Sequence, residues 1–243
     1  MGVIFSEMAH KNIVKVLTKC YTQPVFHPPC PAEIEHFFRK FKKYSYKKGE
    51  VILRGGDEPN GIFFIAEGFT RMYFICAEGR EFTLTILRPG SFFPAIWLIC
   101  DTPNLYFFEA ITEVTIFKAP KDETYSFLNN NTQVLFTLTR NILYGINSFM
   151  TRFPHLMLGN SQEKIASVIV YLAENYAAKG RNNEIKITLS LSHQDIANLA
   201  GLSRETTTLE ISKLCKQKLI TTSYRKLIVK DIRGLETIAR LSA

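Results

Sequence analysis

Between Lys47 and Pro120 the chain is cut by glycines at short intervals: Gly49, Gly55-Gly56, Gly61, Gly68, Gly79 and Gly90. The segments between them include Val51–Leu53, Ile62–Ile65, Arg71–Ile75 and Phe82–Leu87, all rich in β-branched and aromatic residues. No helix of ordinary length fits such spacing. Short strands do, and strands recurring at about 8–12 residues with turn signals read as a β-sandwich or barrel. The β segment is expected to continue through Leu105–Ala110 and Val114–Ala119 and to end near Pro120.

The flanks have helical period. Ala32–Lys43 places Ile34, Phe37, Phe38 and Phe41 on one side, and Lys11–Lys19 allows one or two helical turns. Between them Gln23–Pro31 carries four prolines and reads as an extended linker. Residues 121–158 read as a long helix with two apolar stripes. One runs Leu135, Leu138, Ile142, Gly145, Phe149; the other runs Leu143, Ile146, Met150, Phe153, Met157. Two stripes need two partners, the chain's own β-domain and a second copy in a coiled coil. A helix buried within one domain is the alternative. The surface expected to face the second copy is Leu135, Leu138, Ile142, Gly145, Ile146 and Phe149. Pro154 predicts a kink or break near the helix end. Gly159-Asn160 reads as a hinge or cap, Ser161 precedes a further helical run, Gly180–Asn183 reads as a turn and Ile185–Leu189 as a strand.

Charge is unevenly spread. Of 30 Lys+Arg and 22 Asp+Glu, residues 160–243 hold 13 basic and 8 acidic side chains. A polyanionic partner, if there is one, is expected on that part. There Ser192-His193-Gln194-Asp195 forms a capping box ahead of a short helix. Gly201 supplies a tight turn, and Ser203 caps a second helix from Arg204 to about Lys216. This is the spacing of a helix-turn-helix, although a structural helical hairpin has the same local pattern. A second helix in the major groove would present Arg204, Glu205 and Thr208 to base edges, with Thr207 and Leu209 beside them. Ser192 and Ser203 would sit near the backbone, and Lys213, Lys216 and Lys218 on phosphates. Leu219–Thr222 and Lys226–Lys230, around Tyr224-Arg225, read as a two-stranded wing.

Two stretches resemble the cyclic-AMP receptor protein/fumarate-nitrate regulator (Crp/Fnr) superfamily of bacterial transcription factors. The first is Tyr46–Gly68, with Lys48-Gly-Glu-Val-Ile-Leu-Arg-Gly-Gly-Asp57, followed by Glu78–Phe93. The second is Leu191–Ile220, with Gly201-Leu-Ser-Arg-Glu-Thr206. The resemblance runs from about residue 33 to about 232. It implies an α+β fold: an N-terminal cyclic-nucleotide-binding-like β-roll, a long dimerisation helix and a C-terminal winged helix-turn-helix. The expected boundaries are 1–125 for N-terminal helices and β-roll, 126–158 for the dimerisation helix and 159–243 for the DNA-binding domain. It further implies a cytoplasmic homodimer that binds double-stranded DNA at a two-fold symmetric operator and recruits or blocks RNA polymerase.

The chain departs from the family's nucleotide-binding members. Where they carry Gly-Glu-Leu for the ribose and Arg-Ser for the phosphate, this sequence reads Pro94-Ala95-Ile96 and Asn104-Leu105. Phe149-Met150 stands where the family's cyclic-AMP sensor has hydroxyls for adenine. A buried phosphate without a cation is strongly disfavoured, so cyclic AMP is not the expected effector. Phe92, Phe93, Trp97, Tyr106, Phe107 and Phe108 stand there instead. Either they and Phe149 line a pocket for haem or a small aromatic effector, or they fill the space as core. In the second helix, Leu209-Glu210 replaces the family's arginine and aliphatic residue. Helical spacing turns Leu209 to the DNA and Glu210 inward, so a different operator is expected.

Other classes find little support. The five histidines all lie outside residues 46–120, so a cupin-type metal enzyme lacks its ligands, and no phosphate loop or nucleophile elbow is present. No enzyme activity and no metal site are expected. Cys20, Cys30, Cys76, Cys100 and Cys215 are unpatterned and read as free thiols. No apolar run reaches the roughly 18 residues of a membrane span, and no secretory signal is expected. The competing reading is a ligand- or redox-sensing dimer that acts through protein partners without specific DNA binding.

Overall fold

The computed structural model describes residues 31–179, 184–223 and 226–239. The expectations for Lys11–Lys19, the proline segment before Pro31, Gly180–Asn183 and Tyr224-Arg225 lie outside the described residues. The chain divides into two compact units, one formed by His27–Ile146 and one that contains Asn147–Ala243.

In the first unit the order is α1 (Ala32–Phe38), β1 (Lys42–Tyr46), β2 (Val51–Leu53), β3 (Ile62–Glu67), β4 (Thr70–Ile75), β5 (Glu81–Leu87), β6 (Phe92–Phe93), α2 (Ala95–Cys100), β7 (Phe107–Ala110), β8 (Val114–Ala119), α3 (Lys121–Asn129) and the start of α4 (Thr132–Leu158). Two four-stranded sheets result, ordered β1-β8-β3-β6 and β2-β7-β4-β5. Leu53, Phe63, Ile65, Phe93, Phe108, Ala110, Val114 and Ile116 form the core that the two sheets share. The other face of the first sheet packs Ile62, Phe64, Phe117 and Ala119 against Ile34 and Phe38 of α1, Leu98 of α2, Leu128 of α3, and Val134 and Leu138 of α4. With both its faces covered, β3 reads as an unbroken apolar run, Ile62–Ile65, rather than an alternating one. Gly68 is required at its turn: φ is +83°, and a Cβ there would lie 2.0 Å from the Glu113 carbonyl oxygen.

Four sequence expectations are corrected here. The helix expected over Ala32–Lys43 ends at Phe38, and Lys42–Tyr46 pairs antiparallel with β8 instead. Sheet pairing overrides helical spacing in this segment. Residues 121–158 form two helices rather than one. The Asn131 amide donates to the Phe127 carbonyl (2.7 Å), a local side-chain bond that competes with helix continuation. Pro154 does not break α4, which continues to Leu158. Leu105–Ala110 becomes strand only from Phe107.

The second unit continues from α4 into α5 (Ser161–Tyr176), β9 (Ala177–Lys179), β10 (Ile185–Ile187), α6 (His193–Ala200), α7 (Arg204–Lys216), β11 (Ile220–Ser223), β12 (Lys226–Val229) and α8 (Ile232–Ile238). Its sheet is ordered β11-β12-β10-β9. Asn160 caps α5 in a full capping box with Glu163. Ile165, Ala166, Val168, Ile169, Val170 and Leu172 are all buried, so α5 is apolar around most of its circumference. Such a helix is a domain core, and α6, α7 and α8 pack on it. The architecture is therefore α+β: a β-rich unit, a long helix and a C-terminal helix-turn-helix.

Candidate functional site

The helix-turn-helix is fixed at three points. Ser192 caps α6, its hydroxyl and backbone N–H both donating to Asp195 (2.8 and 2.7 Å) while Asp195 N–H returns to Ser192 Oγ. Gly201 closes α6 in the left-handed region, φ 64°. Ser203 caps α7 by accepting from Thr206 N–H (3.1 Å). Ser192 and Ser203 thus fix where the two helices begin, and most of their hydrogen-bonding capacity is used inside the protein.

The exposed face of α7 carries Arg204, Glu205, Thr208, Leu209, Ser212, Lys213 and Lys216. Arg204 and Glu205 form no ion pair with any described residue. Leu209 is 63% exposed and Glu210 6%, the arrangement that helical spacing requires. Glu210 holds Lys213 Nζ at 2.9 Å, which partly neutralises that lysine before it meets a phosphate. Thr207 is a correction: it is 0% exposed and packed inward, so it cannot touch a base edge. His193, not singled out in the sequence, opens α6 and places Nδ1 2.8 Å from Thr208 Oγ1. No local pattern signals a contact between residues fifteen positions apart.

The aromatic residues of the first unit do not form one group. Phe93 and Phe108 are each 2% exposed and stack at 4.3 Å between the sheets, with Phe63 stacked on Phe93 at 5.3 Å and Tyr106 packed alongside. Phe92 and Trp97 belong to the other cluster, beneath the helices. Phe149 lies in the second unit, tilted against Phe153 at 5.9 Å.

The two loop positions that depart from nucleotide-binding relatives have structural roles. Pro94 precedes α2 as its N-terminal cap residue. Asn104 is buried, and its amide donates to the carbonyls of Arg54 and Tyr106 (both 2.9 Å), which leaves that amide group no donor for an anion. Arg71 is a buried cation, but it pairs with Glu81 and Glu109 at 2.7 Å each. Its neighbour Met72 packs with Phe108 in the shared core, so strand alternation puts Arg71 on the opposite face of the sheet. Burial pulls the Arg71 pKa down, but hydrogen bonds and charge from Glu109 and Glu81 outweigh it and hold the guanidinium above its ordinary value. Burial and Glu109 push the neighbouring Tyr73 hydroxyl up to about 12.

The expected dimer surface divides. Leu138 is 5% exposed and sits in the core of the first unit with Leu135 packed against that core, so these two are corrected to intramolecular positions. Ile142 and Ile146 are exposed, and the space beside Gly145 is open. The second stripe, joined by Phe136, is the one facing solvent: Phe136, Leu143, Ile146, Met150, Phe153 and Met157. No described helix is long and apolar enough to cross a membrane, and no described cluster of His, Cys, Asp and Glu could hold a metal ion.

Comparison with known proteins agrees with this geometry. Residues 43–131 match the family described as cyclic nucleotide-binding domain, and residues 163–238 match the Crp-like helix-turn-helix domain. The transcriptional regulator SdrP of Thermus thermophilus is 28% identical over 197 residues, covering 80% of this chain and 93% of SdrP. A crystal structure of a CRP/FNR-family transcriptional regulator from Thermus thermophilus superposes with a TM-score of 0.66 at 26% identity, covering 83% of this chain and 100% of that one. A CooA variant from Carboxydothermus hydrogenoformans shares the fold, with a TM-score of 0.73 at 20% identity over 87% of this chain and 96% of that one. With a nucleotide-binding-type β-roll, a long helix and a helix-turn-helix in this order, the chain belongs to the Crp/Fnr family of DNA-binding transcription regulators.

Proposed function

We propose that the protein works as a homodimer on an inverted-repeat operator, and that its β-roll is closed to cyclic nucleotides. The observation that carries the dimer is the row Phe136, Leu143, Met150 and Met157 on α4, seven residues apart, with Ile146 and Phe153 between them, all exposed. A seven-residue apolar repeat facing water is the seam of a coiled coil, and the same helix of a second copy buries it about a two-fold axis. Two copies of α7 then meet half-sites about 34–36 Å apart, as two-fold helix-turn-helix dimers do. Bound there, the dimer recruits or blocks RNA polymerase.

The closed β-roll rests on two observations: the Phe93–Phe108 stack between the sheets and the Asn104 amide group, whose two protons are both held by carbonyls. The same stack leaves the space between the sheets to side chains rather than to haem or a small aromatic effector. Regulation then acts through the abundance of the protein or through a partner, and the active conformer dominates without a small ligand.

One experiment tests both parts. Randomised duplex DNA is selected on the full chain, with and without cyclic AMP, and the same preparations are sedimented. The expected result is a dimer that enriches an inverted repeat indifferent to the nucleotide. Leu143→Glu with Met150→Glu is expected to sediment as a monomer and to lose the repeat. A monomeric wild type, or enrichment of a single unrepeated site, overturns the dimer. A repeat that appears only with cyclic AMP overturns the closed roll.

A further inference from the structure

Thr208 has one hydroxyl proton and two acceptor positions. Its Oγ1 lies 2.9 Å from the Arg204 carbonyl oxygen, one turn back on α7, and 2.8 Å from His193 Nδ1 on α6. Two hydrogen-bond arrangements satisfy this geometry. If Nδ1 carries its proton, His193 donates to Thr208 and the Thr208 proton goes to the Arg204 carbonyl. If Nδ1 is bare, Thr208 donates to His193. In both tautomers the Thr208 proton stays inside the protein.

We propose that His193 is a positioning residue that holds the Thr208 hydroxyl in the rotamer facing the Arg204 carbonyl and keeps it from turning to its other helical rotamer, so that Thr208 meets the DNA without a donor and thereby sets which base the operator carries at that point. The proposal rests on the reading of α7 as the helix that enters the major groove. A donor-less threonine can accept from the amino group of adenine or cytosine, but it cannot donate to guanine O6 or N7. On the strand facing Thr208, adenine or cytosine is therefore selected over guanine. Because Thr208 shares the exposed face of α7 with Arg204, Glu205 and Leu209, the restriction acts at one base pair per half-site and leaves the others to their own readers.

The test is operator selection on the full-length wild type, Thr208→Ala, His193→Ala and the double variant, each first shown to unfold at the wild-type temperature. Thr208→Ala identifies the base pair by the one position whose preference it removes. At that position the wild type is expected to favour adenine or cytosine over guanine by about fivefold, the effect of one net hydrogen bond. His193→Ala is expected to bring this below about twofold at that position alone, with the rest of the repeat kept. The double variant is expected to match Thr208→Ala, because the lock has nothing left to position. Guanine enriched at that position in the wild type overturns the inference, as does an unchanged preference in His193→Ala. A wild type that enriches no sequence overturns the DNA reading beneath it, an outcome visible before any variant is compared.

Discussion

The two units handle polar side chains in opposite ways. In the β-roll they are buried with partners: Asn104 bridges two loop carbonyls, and Arg71 is clamped between Glu81 and Glu109. The space between its sheets is filled by stacked rings. In the helix-turn-helix Ser192, Asp195 and Ser203 are used at helix ends, while on the face of α7 Arg204 and Glu205 make no ion pair with any described residue. A polar group buried with its partner stabilises one conformation, whereas one held in water by a rigid element remains available to a ligand. The first unit is built like a sealed domain and the second like a reader. Substitutions in the roll are therefore expected to register as stability, and substitutions on α7 as recognition.

The largest effect tests the sealed roll. Phe108→Ala is expected to cost about 3–5 kcal/mol in urea unfolding, because it removes a ring stacked on Phe93 and leaves a cavity the sheets cannot close. A loss under about 1 kcal/mol means that the space between the sheets is open, which breaks the comparison. Next is Arg71→Met. It leaves Glu109, and the partly exposed Glu81, without their cation, and about 3 kcal/mol of stability is expected to go. Both variants are expected to retain the wild-type operator preference at temperatures where they are folded.

Arg204→Ala is expected to behave in the reverse manner. Loss of an arginine that reads a base costs about 1–3 kcal/mol of specific binding, or roughly tenfold to a hundredfold. Because Arg204 makes no ion pair with any described residue, its unfolding temperature is expected to stay within about 1 °C of wild type. Competition of operator against scrambled duplex at fixed salt separates this from uniform weakening. A variant that loses stability but keeps its operator would place Arg204 with the structural residues and remove the distinction between the units.

How much of this is legible in the sequence follows the same division. The glycine spacing locates most strands because each turn needs a residue free of Cβ, as Gly68 does. The capping box at Ser192–Asp195 shows where the helix-turn-helix begins, because capping is a local chemistry. Pairings between distant segments leave no such trace. Arg71 meets Glu109 across 38 residues, and β1 is a strand only because β8 lies beside it. Periodicity finds both stripes on α4 but does not say which one the roll covers. That is why spacing alone assigns Leu135 and Leu138 to a second copy and passes over Phe136, which lies between them. Thr207 fails for the converse reason: it is adjacent to Thr208 in sequence, but one residue of rotation on a helix turns it into the core.

The smallest effect concerns a buried charge group in the second unit, formed by Arg152, Glu174 and Glu236. Arg152 lies within α4 with its guanidinium 3.8 Å above the Tyr171 ring, and burial lowers its pKa. Glu174 on α5 is pushed up to about 7 by burial first and then by Glu236, against a smaller opposing pull from Arg152. Burial also raises Glu236 on α8. A carboxyl whose folded pKa lies above its unfolded value binds its proton more tightly when folded, so stability falls as pH rises between the two values. For Glu174 the window runs from its ordinary value of 4.5 to about 7, and the penalty is complete above it. Glu174→Gln is therefore expected to raise stability by about 1–2 kcal/mol at pH 8, a few degrees in unfolding temperature, and to change little at pH 4.5. Thermal unfolding from pH 4.5 to 8 checks this. A parallel shift at every pH would mean that the gain comes from packing, and a flat wild-type profile would mean that Glu174 is as well compensated as Arg71. The expected slope instead makes the stability of the second unit respond to protons near neutrality, while Arg71 of the roll, held above its ordinary value, keeps its charge throughout that range.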